Sequence, residues 1–206
     1  MHSPQPNVIL TSSFSTVAEE LLHKGLLPPG AMVAFIPTAG DCYKEKPWIE
    51  ADREALVRFG YAVIDVDLKD TNAEKLKEDF APADIIFVAG GNTTYLAAQA
   101  HLSGFDGIIH DLLRQGKIYI GSSAGSILAG PTVEPFIAED LPNLPADFVL
   151  TDPSCLHLVD DIVLPHYPQY AEQDDAIAQK YGERFRFMKM TDQEFRASFE
   201  NYMERF

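Results

Sequence analysis

The sequence predicts an α/β fold in which a mostly parallel β-sheet is covered by helices on both faces, in a three-layer, doubly wound arrangement. Short apolar runs of strand type alternate along the chain with segments that carry apolar residues at helical spacing. Glycine or proline stands at most of the junctions between them, which is typical of the ends of helices and strands. Fully apolar runs such as residues 85–88 favour a parallel sheet that is buried on both faces.

The predicted elements follow one another along 206 residues, which is enough for a single domain, 1–206, with a full core. Strands are predicted at 8–11, 32–36, 61–66, 85–88, 118–120, 162–164 and 185–190, with a short extra strand at 148–150. A first helix is predicted to begin at a capping box that starts at Thr16. Further helices are predicted at 48–59, 73–80, 95–100, 105–115, 172–181 and 195–206. A proline-rich excursion, residues 132–153, follows the fifth strand.

The composition argues against several classes of function. A net charge of −15 repels phosphate backbones and anionic lipid, so we expect no nucleic-acid or membrane partner. The two cysteines lie far apart, and no metal-ligand spacing, P-loop or dinucleotide-binding glycine motif occurs, so we expect no metal and no cofactor. With no signal-peptide pattern and no apolar run of membrane-spanning length, the expected compartment is the cytoplasm.

The strongest chemical signal lies in residues 117–131, KIYIGSSAGSILAGP. Here the pattern Gly-x-Ser-x-Gly stands between an apolar strand and a helix, which is typical of a nucleophile elbow. A sharp turn of this kind exposes the central serine, Ser123, and puts the amide of Ala124 at a helix N-terminus, where it can stabilise an oxyanion. The alternative for so short a pattern is a turn rich in glycine and serine that has no catalytic role.

Two further strand ends carry candidate catalytic groups. His166 follows the strand 162–164 and a proline, which makes it the best candidate among six histidines for the general base of Ser123. The alternative is a structural histidine in a loop, and the histidines on or beside helices (His23, His101 and His110) are expected to be surface residues. Gly90 and Gly91 follow the strand 85–88, where their amides could complete an oxyanion hole or simply form a strand-to-helix turn.

Five stretches of the chain resemble the aspartyl dipeptidase family of serine peptidases, whose relatives include cyanophycinases. They are ILTSSF, FIPTAG, FVAGGNTTYL, IYIGSSAGSILAGP and LVDDIVLPHY, in the order expected for the family. The resemblance implies a flavodoxin-like fold similar to that of class I glutamine amidotransferases, with serine in place of their cysteine nucleophile. The resemblance implies that Ser123 is the nucleophile and His166 the base. It also implies that the amides of Gly91 and Ala124 form the oxyanion hole. The substrate-binding residues that it implies are Gly90, Asn92 and Thr93.

The third member of a serine triad has two candidate regions. Asp192 follows the predicted strand 185–190, and strand ends at one edge of a parallel sheet cluster, so we favour it as the partner of His166. Its alternative role is to cap a terminal helix. Glu139 and Asp140, in the excursion, are the alternative acids, because the family dipeptidase has an aspartate at about this distance from its serine.

These residues together predict a serine peptidase that hydrolyses short peptides through an acyl-enzyme on Ser123. The family dipeptidase holds the aspartate of its substrate with an arginine after the histidine, but residues 170–180 contain no arginine, and Gln173 lies near its place. We therefore expect little preference for aspartyl peptides. The alternatives are an amidase or esterase that uses the same triad on non-peptide substrates, and a catalytically silent binding protein. A homodimer is also left open.

Overall fold

The computed structural model describes residues 7–199 and 202–205, and its strands form two sheets. The strands are β1 (Val8–Thr11), β2 (Met32–Ile36), β3 (Ala62–Asp65), β4 (Ile85–Val88), β5 (Ile118–Ser122), β6 (Asp161–Leu164), β7 (Arg186–Lys189), β8 (Phe195–Phe199) and β9 (Tyr202–Arg205). The main sheet has the order β3-β2-β4-β5-β1-β8-β9, in which β1 to β5 are parallel. Strand β8 pairs antiparallel with β1, and β9 pairs antiparallel with β8. Strands β6 and β7 pair in parallel as a second, smaller sheet.

Helices cover both faces of the main sheet. They are α1 (Phe14–His23), α2 (Pro47–Arg58), α3 (Ala73–Phe80), α4 (Thr93–Ser103), α5 (Phe105–Arg114), α6 (Ala124–Leu128), α7 (Ile137–Asp140) and α8 (Ala171–Tyr181). Successive residues of β4 point to opposite faces: Phe87 packs with α1 and α2, whereas Ile86 packs with α3, α4 and α5. The predicted three-layer, mostly parallel α/β fold is confirmed.

The carboxyl ends of three adjacent strands bring their following loops to one edge of the main sheet. Thr11 at the end of β1 pairs with Ser122 at the end of β5, and Val88 at the end of β4 pairs with Gly121. Loops that leave these ends of a parallel sheet are where α/β proteins build their sites. In the smaller sheet Leu164 pairs with Lys189, so the segments after β6 and β7 also leave side by side.

The C-terminal segment differs from the prediction of a helix at 195–206. It forms the strands β8 and β9, while residues 200, 201 and 206 lie outside the described residues. β8 pairs antiparallel with β1 and buries Phe195 and Ala197 on one face of the sheet. Phe195 and Phe199 are four residues apart, a spacing that fits a helix as well as a strand, so the local pattern misled the prediction.

Two smaller predictions also differ from the structure. α1 begins at Phe14 with Ser13 as its N-cap, so Thr16 lies within the helix rather than at its start. Residues 148–150 form no strand: Phe148 packs on Tyr95, and Val149 is 73% exposed. The segment around residue 148 therefore has side-chain contacts but no strand to pair with.

Two helical histidines that were expected to lie on the surface, His110 (exposed) and His101 (half-buried), also contact the chain that follows the excursion. Nδ1 and Nε2 of His101 lie 2.7 Å from Asp106 Oδ2 and 2.9 Å from the carbonyl oxygen of Ser154. Nε2 of His110 lies 2.9 Å from the carbonyl oxygen of Leu156. These contacts fasten residues 154–156 to α4 and α5.

Candidate active site

Ser123 occupies a strained turn between β5 and α6. Its backbone has φ 50° and ψ −108°, a combination that residues with a Cβ rarely adopt. A Cβ on Gly121 would lie 2.6 Å from the carbonyl carbon of Gly125, and a Cβ on Gly125 would lie 2.1 Å from the carbonyl oxygen of Val88. Close backbone contacts on both sides of Ser123 therefore require the two glycines of the Gly-x-Ser-x-Gly pattern.

His166 links Ser123 to an acid. It stands two residues after the end of β6, and its Nε2 lies 2.9 Å from Ser123 Oγ. Its Nδ1 lies 2.7 Å from Oδ1 of Asp192, in the turn between β7 and β8. Because a carboxylate only accepts hydrogen bonds, Nδ1 carries the ring proton in this arrangement and Nε2 can accept from the serine hydroxyl.

Among the three acids considered from the sequence, Asp192 is the one that contacts the histidine ring. It is followed by β8, so it caps no helix. Oδ2 of Asp140 accepts hydrogen bonds from the amide and hydroxyl of Thr94, at 2.8 and 2.7 Å. Glu139 makes its side-chain hydrogen bond with Gln173. The two acids of the excursion are thus bound to α4 and α8.

The glycine pair after β4 packs directly against the elbow. A Cβ on Gly90 would lie 3.2 Å from Cβ of Ser123, so any larger residue at position 90 would crowd the serine. Gly91 has φ 149°, and a Cβ on it would lie 2.2 Å from the carbonyl oxygen of Ala39. Glycine is required at position 91 both by its backbone angle and by this contact.

The side chains of Asn92 and Thr93, which were predicted to bind substrate, are buried in the structure. Oδ1 of Asn92 accepts from the amide of Tyr95 at 2.8 Å and so caps α4, while Nδ2 donates to the carbonyl oxygen of Asp140 at 3.0 Å. Thr93 is 4% exposed. Both side chains serve the packing of this loop.

Comparison with known proteins places this geometry in a family. Residues 8–193 match the model of peptidase family S51. The chain belongs to peptidase family S51. It is 33% identical to the uncharacterized peptidase Lin0382 of Listeria innocua over 161 residues, which is 78% of this chain and 76% of that protein. It is 29% identical to peptidase E of a Nostoc species over 168 residues, which is 78% of this chain and 65% of that protein.

A solved structure agrees with this family. The crystal structure of a Listeria monocytogenes protein assigned as a peptidase E superposes with a TM-score of 0.84 and 26% identity, covering 99% of this chain and 98% of that one. The resemblance to serine peptidases of the dipeptidase type is thereby confirmed, and so is a fold like that of class I glutamine amidotransferases. Like the family, this S51 chain is a serine peptidase.

Two polar residues near the elbow of this S51 peptidase were missed by reasoning from the sequence. Ser12, directly after β1, is fully buried and contacts both His166 and Asp192. Asp52, on α2, is 3% exposed and accepts a hydrogen bond from the amide of Ser15 at 2.9 Å. Ser12 lies in the stretch ILTSSF that carried the family resemblance, but no local pattern gave it a role.

Two buried carboxyl groups, those of Asp52 on α2 and Asp174 on α8, have raised pKa values. Burial raises the pKa of Asp52 to about 6, although hydrogen bonds from Ser122 and Ser15 partly offset it. Burial and then the charge of Glu139 raise the pKa of Asp174 to about 6. Desolvation favours the neutral form of such groups. Both groups therefore hold their protons more tightly than exposed carboxyls do.

A shallow, open cavity of about 460 Å³ lies at the surface near His166, at the start of α8. It is lined by Gln169, Tyr170, Glu172, Gln173 and Ala176. The rings of Tyr170 and His166 meet edge to face with centroids 6.2 Å apart, and the amide of Gln169 donates to the carbonyl oxygen of His166 at 2.7 Å. Space for a substrate group is thus available next to the histidine.

Residues 7–199 and 202–205 contain neither a metal-binding cluster nor a membrane-spanning helix. Within these ranges no three or more histidine, cysteine, aspartate or glutamate side chains are grouped so that they could hold a metal ion. No helix in the described part of the chain has the length and apolar character needed to cross a membrane.

Proposed function

We propose that this S51 peptidase hydrolyses short peptides with Ser123 as nucleophile, His166 as general base and acid, and Asp192 as the acid that orients the histidine. The observation that carries the proposal is the unbroken chain of hydrogen bonds from Ser123 Oγ through the imidazole to Asp192, with distances of 2.9 and 2.7 Å. Such a chain assigns each group a chemical role.

In the proposed reaction, Ser123 Oγ attacks the carbonyl carbon of the scissile peptide bond while Nε2 of His166 takes the hydroxyl proton. Asp192 stabilises the imidazolium that forms. The C–N bond then breaks, and His166 gives its proton to the leaving amine. Water, deprotonated by the same nitrogen, attacks the acyl-enzyme, and the proton returns to Ser123 as the acid product leaves.

The oxyanion of each tetrahedral intermediate is assigned to the amides of Gly91 and Ala124. Ala124 is the first residue of α6, so its N–H has no acceptor within the helix. The Gly90–Gly91 loop packs against Ser123 without side chains between them. Two preorganised amides that face the developing charge are the usual source of such stabilisation.

Little preference for an aspartyl substrate is expected, because the two arginines that follow α8 are paired with acids. Arg184 forms a two-pronged ion pair with Glu134, at 2.8 and 2.7 Å, and Nε of Arg186 lies 3.0 Å from Asp161 Oδ1. The cavity beside His166 has Glu172 as the charged member of its lining. A substrate carboxylate placed there would have no cationic partner among the lining residues and would face the like charge of Glu172.

The experiment is a dipeptide library screen with wild type and Ser123→Ala side by side. We expect wild type to release amino acids from uncharged or basic dipeptides faster than from Asp-X, and Ser123→Ala to release none above background. Equal turnover by the two proteins would overturn the serine mechanism, and strong selectivity for Asp-X over Leu-X and Ala-X would overturn the specificity.

Family membership argues against the alternatives of a non-peptide hydrolase and a silent binding protein. Cleavage of esters or non-peptide amides added to the screen, with no dipeptide cleaved, would favour the first. Absence of any turnover would favour the second. A cytoplasmic location, a homodimer, a single domain and the lack of a nucleic-acid partner stay predictions from the sequence.

A further inference from the structure

We propose that Ser12 is a positioning residue that holds His166 and Asp192 in register with Ser123. The inference deepens the proposed function and rests on the roles assigned to those three side chains. Ser12 directly follows β1, far from the other three residues in the sequence, and is 0% exposed.

The hydroxyl of Ser12 contacts the histidine and the acid at the same time. It donates to Oδ1 of Asp192 at 2.6 Å and accepts from the backbone amide of His166 at 2.6 Å. It also lies 3.3 Å from Nδ1 of His166. Oδ1 of Asp192 therefore accepts hydrogen bonds from both the Ser12 hydroxyl and Nδ1 of His166.

The directions of these hydrogen bonds follow from the groups present. A hydroxyl has one proton and two acceptor sites, and a carboxylate has no proton to give. The Ser12 proton must then point to Asp192, which leaves its lone pairs for the backbone N–H of His166. Loss of the hydroxyl would remove a charge-assisted bond from the acid and leave that N–H without its partner.

The same turn also holds the nucleophile. The carbonyl oxygen of Thr11, next to Ser12, accepts the backbone amide of Ser123 at 3.0 Å. His166 has φ 62°, in the left-handed region that residues with a side chain adopt uncommonly. Two adjacent residues at the end of β1 thus bind the two partners of the catalytic pair: Thr11 binds Ser123, and Ser12 binds His166. Ser12 is the residue that sets the orientation of the base.

A double-mutant cycle with an active-site label tests this role. The second-order rate at which a fluorophosphonate probe modifies Ser123 is followed by intact mass spectrometry for wild type, Ser12→Ala, Asp192→Asn and the double variant. Each rate is divided by the folded fraction. We expect Ser12→Ala to be slower than wild type by about 10- to 100-fold, the factor expected for losing a hydrogen bond to a charged group.

In the Asp192→Asn background the same Ser12→Ala change should slow labelling less than about threefold, because coupled residues are not additive. Ser12→Thr, which keeps the hydroxyl, should lie within about threefold of wild type. Ser13→Ala is the matched control, since the Ser13 hydroxyl bonds to Thr16 Oγ1 at 2.9 Å on the exposed side of the turn.

The outcomes separate this inference from the proposed function. Failure of wild type to be labelled at Ser123 would overturn the proposed function itself. Only the positioning role would be overturned if wild type is labelled and Ser12→Ala is labelled equally fast. The same holds if Ser12→Ala slows labelling by the same factor in the wild-type and Asp192→Asn backgrounds. If Ser12→Ala does not fold, Ser12→Cys, whose thiol is a weak donor, replaces it under the same criteria.

Discussion

The strained backbone at Ser123 predicts that the protein becomes more stable when this residue is replaced by glycine than when it is replaced by alanine. Both changes remove the hydroxyl, so they differ only in Cβ. A non-glycine residue at φ 50° and ψ −108° costs roughly 1–3 kcal/mol, whereas glycine loses about 0.5–1 kcal/mol through the greater freedom of its unfolded chain. Ser123→Gly should therefore exceed Ser123→Ala in free energy of unfolding by about 1 kcal/mol.

Urea unfolding followed by circular dichroism measures this difference. With a slope of roughly 2 kcal/mol per molar urea, 1 kcal/mol moves the midpoint by about 0.5 M. Ala176→Gly, at an exposed position within α8, is the control and should move the midpoint the opposite way by a similar amount. Ser123→Gly equal to or less stable than Ser123→Ala would refute stored strain at the elbow.

Three further predictions concern the acids and the glycine loop. Asp192→Asn should lower kcat by orders of magnitude, whereas Glu139→Gln should stay near wild type and Asp140→Asn should lose stability more than activity. Steady-state kinetics and melting curves measure these effects. If the acid lay in the excursion, kcat would fall in Glu139→Gln or Asp140→Asn and stay near wild type in Asp192→Asn. Because burial raises the pKa of Asp52 from 3.8 to about 6, the stability that neutral Asp52 contributes is present below pH 4 and is lost as the pH rises through 6, by roughly 3 kcal/mol. Asp52→Asn should flatten this dependence in urea titrations between pH 4 and 7, and unchanged curves would argue against a buried acid. Gly91→Ala should cut kcat and lower stability by roughly 1–3 kcal/mol, because its Cβ cannot fit against Ala39, whereas wild-type values would remove the loop from the site.

Much of the fold and of the elbow could be predicted because local chemistry dictates them. Gly121 and Gly125 are forced by backbone contacts, so the pattern around Ser123 has few alternative explanations. The strands β4 and β5 are buried on both faces, and their short, continuous apolar runs are typical of the interior strands of a parallel sheet. His166 could be singled out because it follows a strand end.

The remaining features depend on contacts between distant parts of the chain. Ser12 and His166 are 154 positions apart, and the sequence around either residue does not predict their hydrogen bond. The hairpin of β8 and β9 forms because β1 offers a free side for antiparallel pairing, which the local spacing of Phe195 and Phe199 does not reveal. The burial of Asn92 follows from its contact with the excursion, whose path the sequence left open.

The most direct test of the central claim is to trap the acyl-enzyme. A peptide p-nitrophenyl ester is mixed with the enzyme in a rapid-quench instrument, and the protein is analysed by intact and peptide mass spectrometry. We expect a burst of p-nitrophenol equal to the enzyme concentration, with the acyl group on Ser123 and no burst from Ser123→Ala. Steady turnover without an adduct, or an adduct on another residue, would contradict the central claim.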